Sequence, residues 1–335
     1  MPRAIVIRRT ESAGAGDPVN TASVEELPEP GPEAGPVLID VAYSGINYKD
    51  ALTLTGRPGV VRRTPLVAGV DLVGTVRASE DVRWAAGDTV VLNGTGLSET
   101  VDGGLAEVAR VAAGNLVRLP EGLTPARAAA LGTAGYTAAL CVLRLEEAGL
   151  ATTPEQPVLV TGATGGVGSI AIALLAAAGH HVAALTGRAD RYGDYLRGLG
   201  ATNLVARAEL EGPGRPLQSQ RWSAAVDSVG GEVLANVLSQ TRYGGTVTAC
   251  GLAGSASLPA SVVPFILRAV TLAGVDSVSA SLPAREAAWA RLARDIDPAQ
   301  LDALTETVPL TGAIDAAGRL LAGRTHGRIV VDVRA

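Results

Sequence analysis

A glycine-rich turn between an apolar strand and a helix is the feature that most constrains how this chain folds. The turn reads Ala163-x-Gly165-x-x-Gly168, after a predicted strand at 157–161 and before a predicted helix at 167–178. Small residues there let the backbone approach a pyrophosphate, and the start of the helix supplies free N–H groups. An ordinary strand–turn–helix that uses glycine only for tight packing is the alternative. The surrounding pattern favours a dinucleotide-binding site.

Strand-like and helix-like segments alternate on the carboxyl side of this turn. Further strands are predicted at 181–186, 224–227 and 245–250, and helices near 191–199 and 233–238. Alternation of this kind is typical of a doubly wound parallel sheet, as in the Rossmann fold. A helix rich in Ala and Leu is also predicted to begin at Thr124-Pro125.

Residues 1–120 have a different pattern, in which short β-rich runs alternate with glycine and proline. Examples are the runs at 37–43, 72–76 and 88–92. This pattern is typical of a β-barrel or a β-sandwich. Near the other end of the chain, helices are predicted near 285–294 and 314–322. A last predicted strand at 328–333 could return to the first β domain.

Composition argues against several classes of function. The net charge of −5 disfavours nucleic-acid binding, which needs a basic face. We see no signal-like amino terminus and no run of about 20 apolar residues, so we expect a cytoplasmic protein without a membrane partner. The two cysteines, Cys141 and Cys250, are far apart in the sequence, and the three histidines have no ligand-like spacing. These residues predict neither a disulfide framework nor a metal cluster.

The end of the second Rossmann strand indicates which nicotinamide cofactor the chain prefers. An NAD site usually carries Asp or Glu there, to accept hydrogen bonds from the ribose hydroxyls. Here the strand ends in Thr186, Gly187 and Arg188, which suit a 2′-phosphate, and we therefore predict NADPH. Asp190 lies slightly beyond and would oppose a phosphate, and Arg188 could instead be a solvated charge at the start of a helix.

Over essentially its whole length the chain resembles the medium-chain dehydrogenase/reductase superfamily. Zinc-dependent members of that family place a cysteine where this chain has Asn47, and a histidine where it has Val70. The resemblance therefore implies catalysis without zinc. The Asn-x-x-Asp form at Asn47 and Asp50 is similar to the zinc-free, quinone oxidoreductase-like branch.

Within that branch the chain is most similar to the bacterial acryloyl-CoA reductase group. The matching segments are 47–52, 132–138, 161–168, 243–245, 249–254, 264–268 and 274–277. The resemblance implies an α/β protein with a GroES-like catalytic domain at 1–124 and a Rossmann domain at 125–270. Residues 271–335 would complete the Rossmann sheet and return to the catalytic domain. A homodimer is also expected.

The activity implied by the resemblance is NADPH-dependent reduction of the C=C bond of a short α,β-unsaturated acyl-CoA, such as acryloyl-CoA to propionyl-CoA. Hydride would go to the β-carbon. Tyr48, Asn47 and Asp50 are the predicted catalytic residues. Tyr48 would lie beside the nicotinamide, as a proton donor or a hydrogen-bonding wall, unless it is a half-buried structural tyrosine. Asn47 and Asp50 would position the loop and the cofactor ribose, or serve only as turn residues.

The predicted cofactor-binding residues come from the glycine turn, the second strand and the resemblance. They are Tyr48, Thr164, Gly165, Gly166, Val167, Gly168, Thr186, Gly187, Arg188, Asn203, Leu252, Ile266, Ser277 and Arg324. The last five rest on the resemblance, although Leu252 also follows a predicted Rossmann strand. The family pattern that includes Arg324 can also be aligned in a second register, on the segment 326–328.

Two other functions are compatible with the same scaffold. One is an NADPH:quinone reductase, and the other is a protein that binds NADPH without catalysis. Lys49, the only lysine in the chain, could pair with a carboxylate or a phosphate. The adjacent Arg62 and Arg63 could contact the phosphates of CoA or remain solvated.

Overall fold

The computed structural model describes residues 1–10, 19–151 and 156–335. The amino-terminal part is rich in strands, as its short β-prone runs predict. Its elements are β1 (Arg3–Thr10), β2 (Val19–Glu26), β3 (Val37–Ile46), α1 (Tyr48–Leu54), β4 (Leu66–Val67), β5 (Asp71–Ser79), β6 (Thr89–Asn93), β7 (Val108–Val111) and β8 (Val117–Arg118). β1, β2 and β4 form a small sheet of three strands.

The middle of the chain alternates helices and strands. Its elements are α2 (Pro125–Glu147), β9 (Val158–Val160), α3 (Gly166–Ala177), β10 (Val182–Thr186), α4 (Ala189–Gly198), β11 (Ala201–Ala206), β12 (Ala224–Asp227), α5 (Gly231–Gln240), β13 (Thr246–Ala249), α6 (Val263–Arg268) and β14 (Thr271–Gly274). The six strands are parallel in the order β11-β10-β9-β12-β13-β14. The predicted Rossmann sheet is confirmed, and its strand order reverses between β9 and β12.

The carboxyl-terminal part returns to the first sheet. Its elements are α7 (Leu282–Asp295), α8 (Pro298–Ala303), β15 (Thr305–Pro309), α9 (Ala313–Leu321) and β16 (Arg328–Asp332). β16 pairs antiparallel with β3, with Ile329 opposite Ile46. The resulting seven-stranded sheet has the order β15-β16-β3-β5-β6-β8, with β7 also on β3. The predicted return of the last strand is therefore confirmed.

The chain divides into two compact units. The β-rich unit contains Met1–Thr133, Val278–Ala293 and Leu301–Ala335, and the Rossmann unit contains Ala134–Ser277 and Arg294–Gln300. The division falls inside α2, after Thr133, because the first turns of α2 are held in the β-rich unit. Arg328 donates a hydrogen bond to the Ala130 carbonyl (2.6 Å), and Gly132 interrupts the helix with φ 48° and ψ −156°.

Each unit has its own apolar core. In the β-rich unit, Ile5, Ile39, Leu72 and other strand residues pack with Ala316 of α9. In the Rossmann unit the core is centred on the nearly continuous apolar runs of the parallel strands. It includes Leu159, Ala183, Ala225 and Val247.

The helix α2 is long and apolar enough, by length and composition, to cross a membrane. Its most apolar stretch has a mean hydropathy of 1.4, but 78% of that stretch is buried inside the protein. Burial on this scale, together with the break at Gly132, is typical of a core helix.

Candidate active site

The glycine turn in the Rossmann unit has the geometry that a pyrophosphate needs. A Cβ on Gly168 would lie 2.4 Å from the carbonyl oxygen of Gly162, and a Cβ on Gly162 would lie 2.5 Å from Ser228 Oγ. Neither position tolerates a side chain. Gly165 precedes α3, so the first N–H groups of the helix have no partners within it. Thr164, Gly165, Gly166, Val167 and Gly168 thus line a helix N-terminus that favours an anion.

Hydrogen bonds join the carboxyl ends of the two central strands next to this turn. Thr161 Oγ1 donates to the buried Asp227 carboxylate (2.7 Å) and accepts from the Ser228 amide (3.1 Å). The second oxygen of Asp227 accepts from the Gly230 amide at 2.8 Å. Burial raises the pKa of Asp227 above its usual value. This network holds the edge of the sheet where the strand order reverses, although Asp227 was not among the predicted site residues.

Arg188 links the end of the second Rossmann strand to the glycine turn. Its amide donates to Thr186 Oγ1 (3.0 Å), and its guanidinium donates to Thr164 Oγ1. The same guanidinium lies 4.8 Å from the centre of the Tyr192 ring, and that of Arg191 lies 5.1 Å from it. Two arginines therefore gather beside the turn, an arrangement that suits a phosphate.

Arg191 and Tyr192 were missed by the sequence reasoning. They follow Arg188 at spacings of three and four residues, which places all three side chains on one face of α4. That spacing was a usable signal.

The remaining predicted cofactor residues of the Rossmann unit lie in different environments. Leu252 follows β13 at the carboxyl edge of the sheet and is 64% exposed, and Ile266 on α6 is 73% exposed. Ser277 comes three residues after the end of β14 and is partly buried. Leu252 and Ile266 are large apolar side chains left open to solvent.

Asn203 does not lie with the glycine turn. It is an exposed residue of the edge strand β11, opposite Ala183 and three residues before the strand ends. It lines a groove of about 590 Å³ with Pro157 and Trp222, which precede β9 and β12. The groove therefore runs along the edge strand β11, and its lining does not include the glycine turn.

In the β-rich unit, Asn47 uses its whole side chain in hydrogen bonds. Its amide nitrogen donates to Asp71 (2.7 Å) and Asp50 (3.1 Å), and its amide oxygen accepts from Arg328 at 3.0 Å. Its backbone amide donates to Asp50 at 2.9 Å. Asn47 is nearly buried, so it organises the start of α1 rather than offering free groups to a ligand.

Asp71 is the centre of this buried cluster. Its carboxylate accepts hydrogen bonds from Asn47 (2.7 Å), Asn93 (2.8 Å), and both the amide (3.0 Å) and the hydroxyl (2.5 Å) of Thr133. A Cβ on Gly132 would lie 2.5 Å from Asp71 Oδ2, so only glycine allows this approach. Asp71 was given no role by the sequence analysis.

Arg328 supplies the buried positive charge of the cluster. It is 3% exposed, and its Nη2 lies 4.0 Å from Asp71 Oδ2. Burial lowers its pKa, while the charges of Asp71 and Asp50 oppose that change. Arg324, the residue predicted from the resemblance, lies instead in the exposed segment after α9. Arg324 is therefore not a member of the buried cluster.

Asp50 is also fully buried. It accepts hydrogen bonds from the Asn47 and Val70 amides, both at 2.9 Å. Burial, and then the nearby charge of Asp71, raises the pKa of Asp50 to about 7. Its carboxyl group holds the loop in place, in keeping with the prediction that Asp50 positions this loop.

Tyr48 is the exposed member of this site. It is the first residue of α1 and is 47% exposed, between the buried Asn47 and Asp50. Within the part of the chain that the structure describes, its hydroxyl accepts and donates no hydrogen bond. The hydroxyl without a hydrogen bond disagrees with a structural tyrosine whose hydroxyl is satisfied, and it leaves the phenol available at the start of α1.

The residues at this site do not fit a catalytic zinc. Val70 has no donor atom, Asn47 offers only an amide, and the Asp71 oxygens are already occupied by protein donors. The buried guanidinium of Arg328 would also repel a second cation. Among residues 1–10, 19–151 and 156–335, no group of three His, Cys, Asp or Glu side chains could hold a metal.

Comparisons with known proteins agree with this architecture. Residues 33–121 match the alcohol dehydrogenase GroES-like domain, and residues 166–296 match the zinc-binding dehydrogenase family. An acrylyl-CoA reductase of Ruegeria pomeroyi is 47% identical over all of both chains. The structure of an oxidoreductase from Salmonella enterica in complex with NADP has a TM-score of 0.93 and 44% identity, covering 99% of each chain.

A third relative is a putative quinone oxidoreductase of Bacillus subtilis, which is 46% identical over 93% of each chain. A structure of the Bacillus subtilis relative with NAD bound has a TM-score of 0.91 and covers 99% of each chain. The family matches and these full-length relatives agree with the glycine turn, the strand order and the returning strand. The chain belongs to the medium-chain dehydrogenase/reductase superfamily, with quinone oxidoreductase-like proteins and acrylyl-CoA reductases as its relatives.

Proposed function

We propose that this protein reduces the C=C bond of a short α,β-unsaturated acyl-CoA with NADPH, converting acryloyl-CoA to propionyl-CoA. The observation that carries the proposal is the exposed phenol of Tyr48 on the buried Asn47–Asp71–Arg328 cluster, whose residues do not fit a catalytic zinc. A conjugated thioester needs no metal, because its own carbonyl takes up the charge that hydride addition creates. The full-length similarity to an acrylyl-CoA reductase supports this substrate class.

NADPH is the proposed cofactor, and when bound it supplies the hydride. The residues proposed to hold its pyrophosphate are those of the turn from Thr164 to Gly168. Thr186 and Arg188, joined by Arg191, would bind the 2′-phosphate. The NADP complex of the Salmonella relative supports this choice, whereas the Bacillus relative holds NAD. A direct comparison of the two cofactors is therefore informative.

The proposed catalytic role belongs to Tyr48. Its hydroxyl can donate a hydrogen bond to the substrate or a proton to the α-carbon. Asn47 and Asp50 are positioning residues, because they fix the start of α1 on which Tyr48 sits. The apolar side chains of Leu252 and Ile266 are proposed to contact the cofactor from the Rossmann unit.

We also propose a cytoplasmic homodimer. β14 is the last strand of the parallel sheet in the described part of the chain, and α6 just before it exposes Ile266 and Leu267. An open strand edge beside apolar side chains favours pairing with a second copy. Light scattering at working concentration should give the mass of two chains, and a monomer would contradict this proposal.

The test of the proposed activity is NADPH oxidation with acryloyl-CoA, crotonyl-CoA and a benzoquinone, each offered separately, with NADH as the control. We expect turnover of acryloyl-CoA with NADPH and little with NADH. Turnover of the quinone alone would favour the quinone reductase that the name of the Bacillus relative suggests. No turnover with any of the three, together with tight NADPH binding, would favour a non-catalytic protein.

A further inference from the structure

Lys49, the residue after Tyr48, is held by a loop that also contacts two arginines. Lys49 Nζ lies 2.5 Å from Glu99 Oε1, and the Arg62 amide donates to the Glu99 carbonyl at 2.9 Å. Arg63 donates to the Thr100 carbonyl at 2.7 Å. The loop 94–102 is therefore contacted from two separate segments of the β-rich unit, by the side chains of Lys49 and Arg63 and by the backbone amide of Arg62. We call Lys49, Arg62 and Arg63 the cationic patch.

The cationic patch keeps one positive charge that no carboxylate balances. Glu99 pairs with Lys49, and Asp102 pairs with Arg63 at 3.0 Å. Arg62 is exposed, and its guanidinium has no carboxylate partner among the described residues. Three cations against two carboxylates leave one charge in excess, on a chain whose net charge is −5. An exposed arginine of this kind is suited to bind a phosphate with two parallel hydrogen bonds.

The loop that carries Glu99 has an unfavourable local conformation. Thr95 and Ser98 both have positive φ, of 55° and 64°, a region that side chains and above all β-branched ones avoid. The hydroxyl of Ser98 is buried and has no hydrogen-bond partner within the described chain. Strain of this kind gathers at ligand sites. The loop also directly follows Asn93, whose side chain donates a hydrogen bond to Asp71. The loop that contacts the patch is therefore connected to the buried Asp71 cluster within one unit.

We propose that the cationic patch binds the phosphates of the acyl-CoA substrate, an inference that rests on the proposed function. In CoA the pantetheine arm separates the thioester from the phosphates. A phosphate site must therefore lie at a distance from Tyr48, and Arg62 and Arg63 lie on a separate segment of the same unit, between α1 and β4. Arg62 binds the phosphate directly. Lys49 exchanges the Glu99 carboxylate for the phosphate, so Glu99 competes with the substrate.

The test compares KM for three thioesters: acryloyl-CoA, acryloyl-dephospho-CoA, which lacks only the 3′-phosphate, and acryloyl-pantetheine, which lacks every phosphate. For R62E we expect KM for acryloyl-CoA to rise about tenfold, so that the advantage of CoA over pantetheine largely disappears. For E99Q we expect KM for acryloyl-CoA to fall severalfold, because the competing carboxylate is gone. The matched control is R215E, a charge reversal at an exposed arginine of the Rossmann unit.

Each outcome supports or overturns the inference. If R62E loses the advantage over acryloyl-pantetheine with both acryloyl-CoA and acryloyl-dephospho-CoA, the patch binds the diphosphate. If R62E loses that advantage with acryloyl-CoA alone, the patch binds the 3′-phosphate. KM values for R62E and E99Q that match R215E overturn the inference, as does a rise in KM for NADPH in place of the thioester. An unsubstituted protein that reduces no thioester overturns the proposed function itself, and the inference with it.

Discussion

Asp71 and Arg328 lie buried 4.0 Å apart, and the side-chain amide of Asn47 bridges them, donating to the carboxylate and accepting from the guanidinium. The buried cluster is thus organised by an ion pair that a neutral amide bridges. The cluster fixes the start of α1, where Tyr48 directly follows the bridging residue Asn47 in the sequence.

Removing the bridge should destabilise the protein. N47A leaves an oxygen of Asp71 and an N–H of Arg328 without this partner in a buried site, so we expect a loss of about 2–4 kcal/mol in the free energy of unfolding. Urea denaturation measures it. The exposed Asn203 provides the control, because N203A should change the free energy of unfolding by less than about 0.5 kcal/mol. Equal effects of the two substitutions would refute the structural role of Asn47.

Tyr48 should matter for turnover and not for folding. Because its hydroxyl makes no hydrogen bond within the described chain, Y48F should leave the free energy of unfolding within about 0.5 kcal/mol of the original. If the hydroxyl donates a proton in the transition state, kcat should fall about a hundredfold with KM little changed. A kcat within twofold of the original would rule out proton donation and leave the ring as a wall.

Arg188 should determine the preference for the cofactor. R188A removes a guanidinium that is fixed beside the glycine turn through Thr164. We expect KM for NADPH to rise about tenfold or more, since a charge-assisted contact to the 2′-phosphate is lost. KM for NADH, which lacks that phosphate, should change much less. A parallel rise for both cofactors would mean that Arg188 shapes the turn and does not read the phosphate.

Gly132 should be intolerant of a side chain for two separable reasons. Its φ of 48° is unfavourable for alanine, and a Cβ would lie 2.5 Å from Asp71 Oδ2. Gly149 is the matched control, since its φ is 81° but a Cβ there would meet nothing within 4 Å. G149A should cost about 1–2 kcal/mol from the backbone alone. G132A should cost about 2 kcal/mol more, and equal thermal stability of the two variants would contradict the close approach.

Asp50 should give stability a recognisable dependence on pH. Its pKa is about 7 in the folded protein, against about 4 in an unfolded chain. Between those values the folded state holds a proton that the unfolded state has released. The free energy of unfolding therefore falls as pH rises through this window and levels off above it.

The variant D50N removes this titration. Its free energy of unfolding should lack a slope of up to about 1.4 kcal/mol per pH unit that the original protein shows across the window. Denaturation in urea between about pH 5 and 8 measures the difference between the two. The control is D190N, at an exposed carboxylate, which should keep the original slope. Parallel curves for D50N and the original would show that Asp50 is already ionised in the folded state.

Some elements could be predicted because their signals are local. The strand at 224–227 and the helix that follows the glycine turn depend on apolar runs and on glycine spacing, and both are found where expected. β11 went unpredicted because it is an edge strand with exposed polar residues, including Thr202 and Asn203, and so lacks the apolar run of a central strand.

The sequence by itself determined the alternation of strands and helices around the glycine turn, since it follows from local apolar runs and glycine spacing, and the family resemblance implied the return of the last strand and the replacement of the zinc ligands at Asn47 and Val70. Only the tertiary structure decided that Asp71, Thr133 and Arg328 form one buried cluster, that Arg328 and not Arg324 is its cation, and that Asn203 lies away from the glycine turn. The physical reason is that a buried charge must find its partners wherever folding brings them. Those partners lie on strands and turns far apart in the chain, where no sequence spacing records their approach.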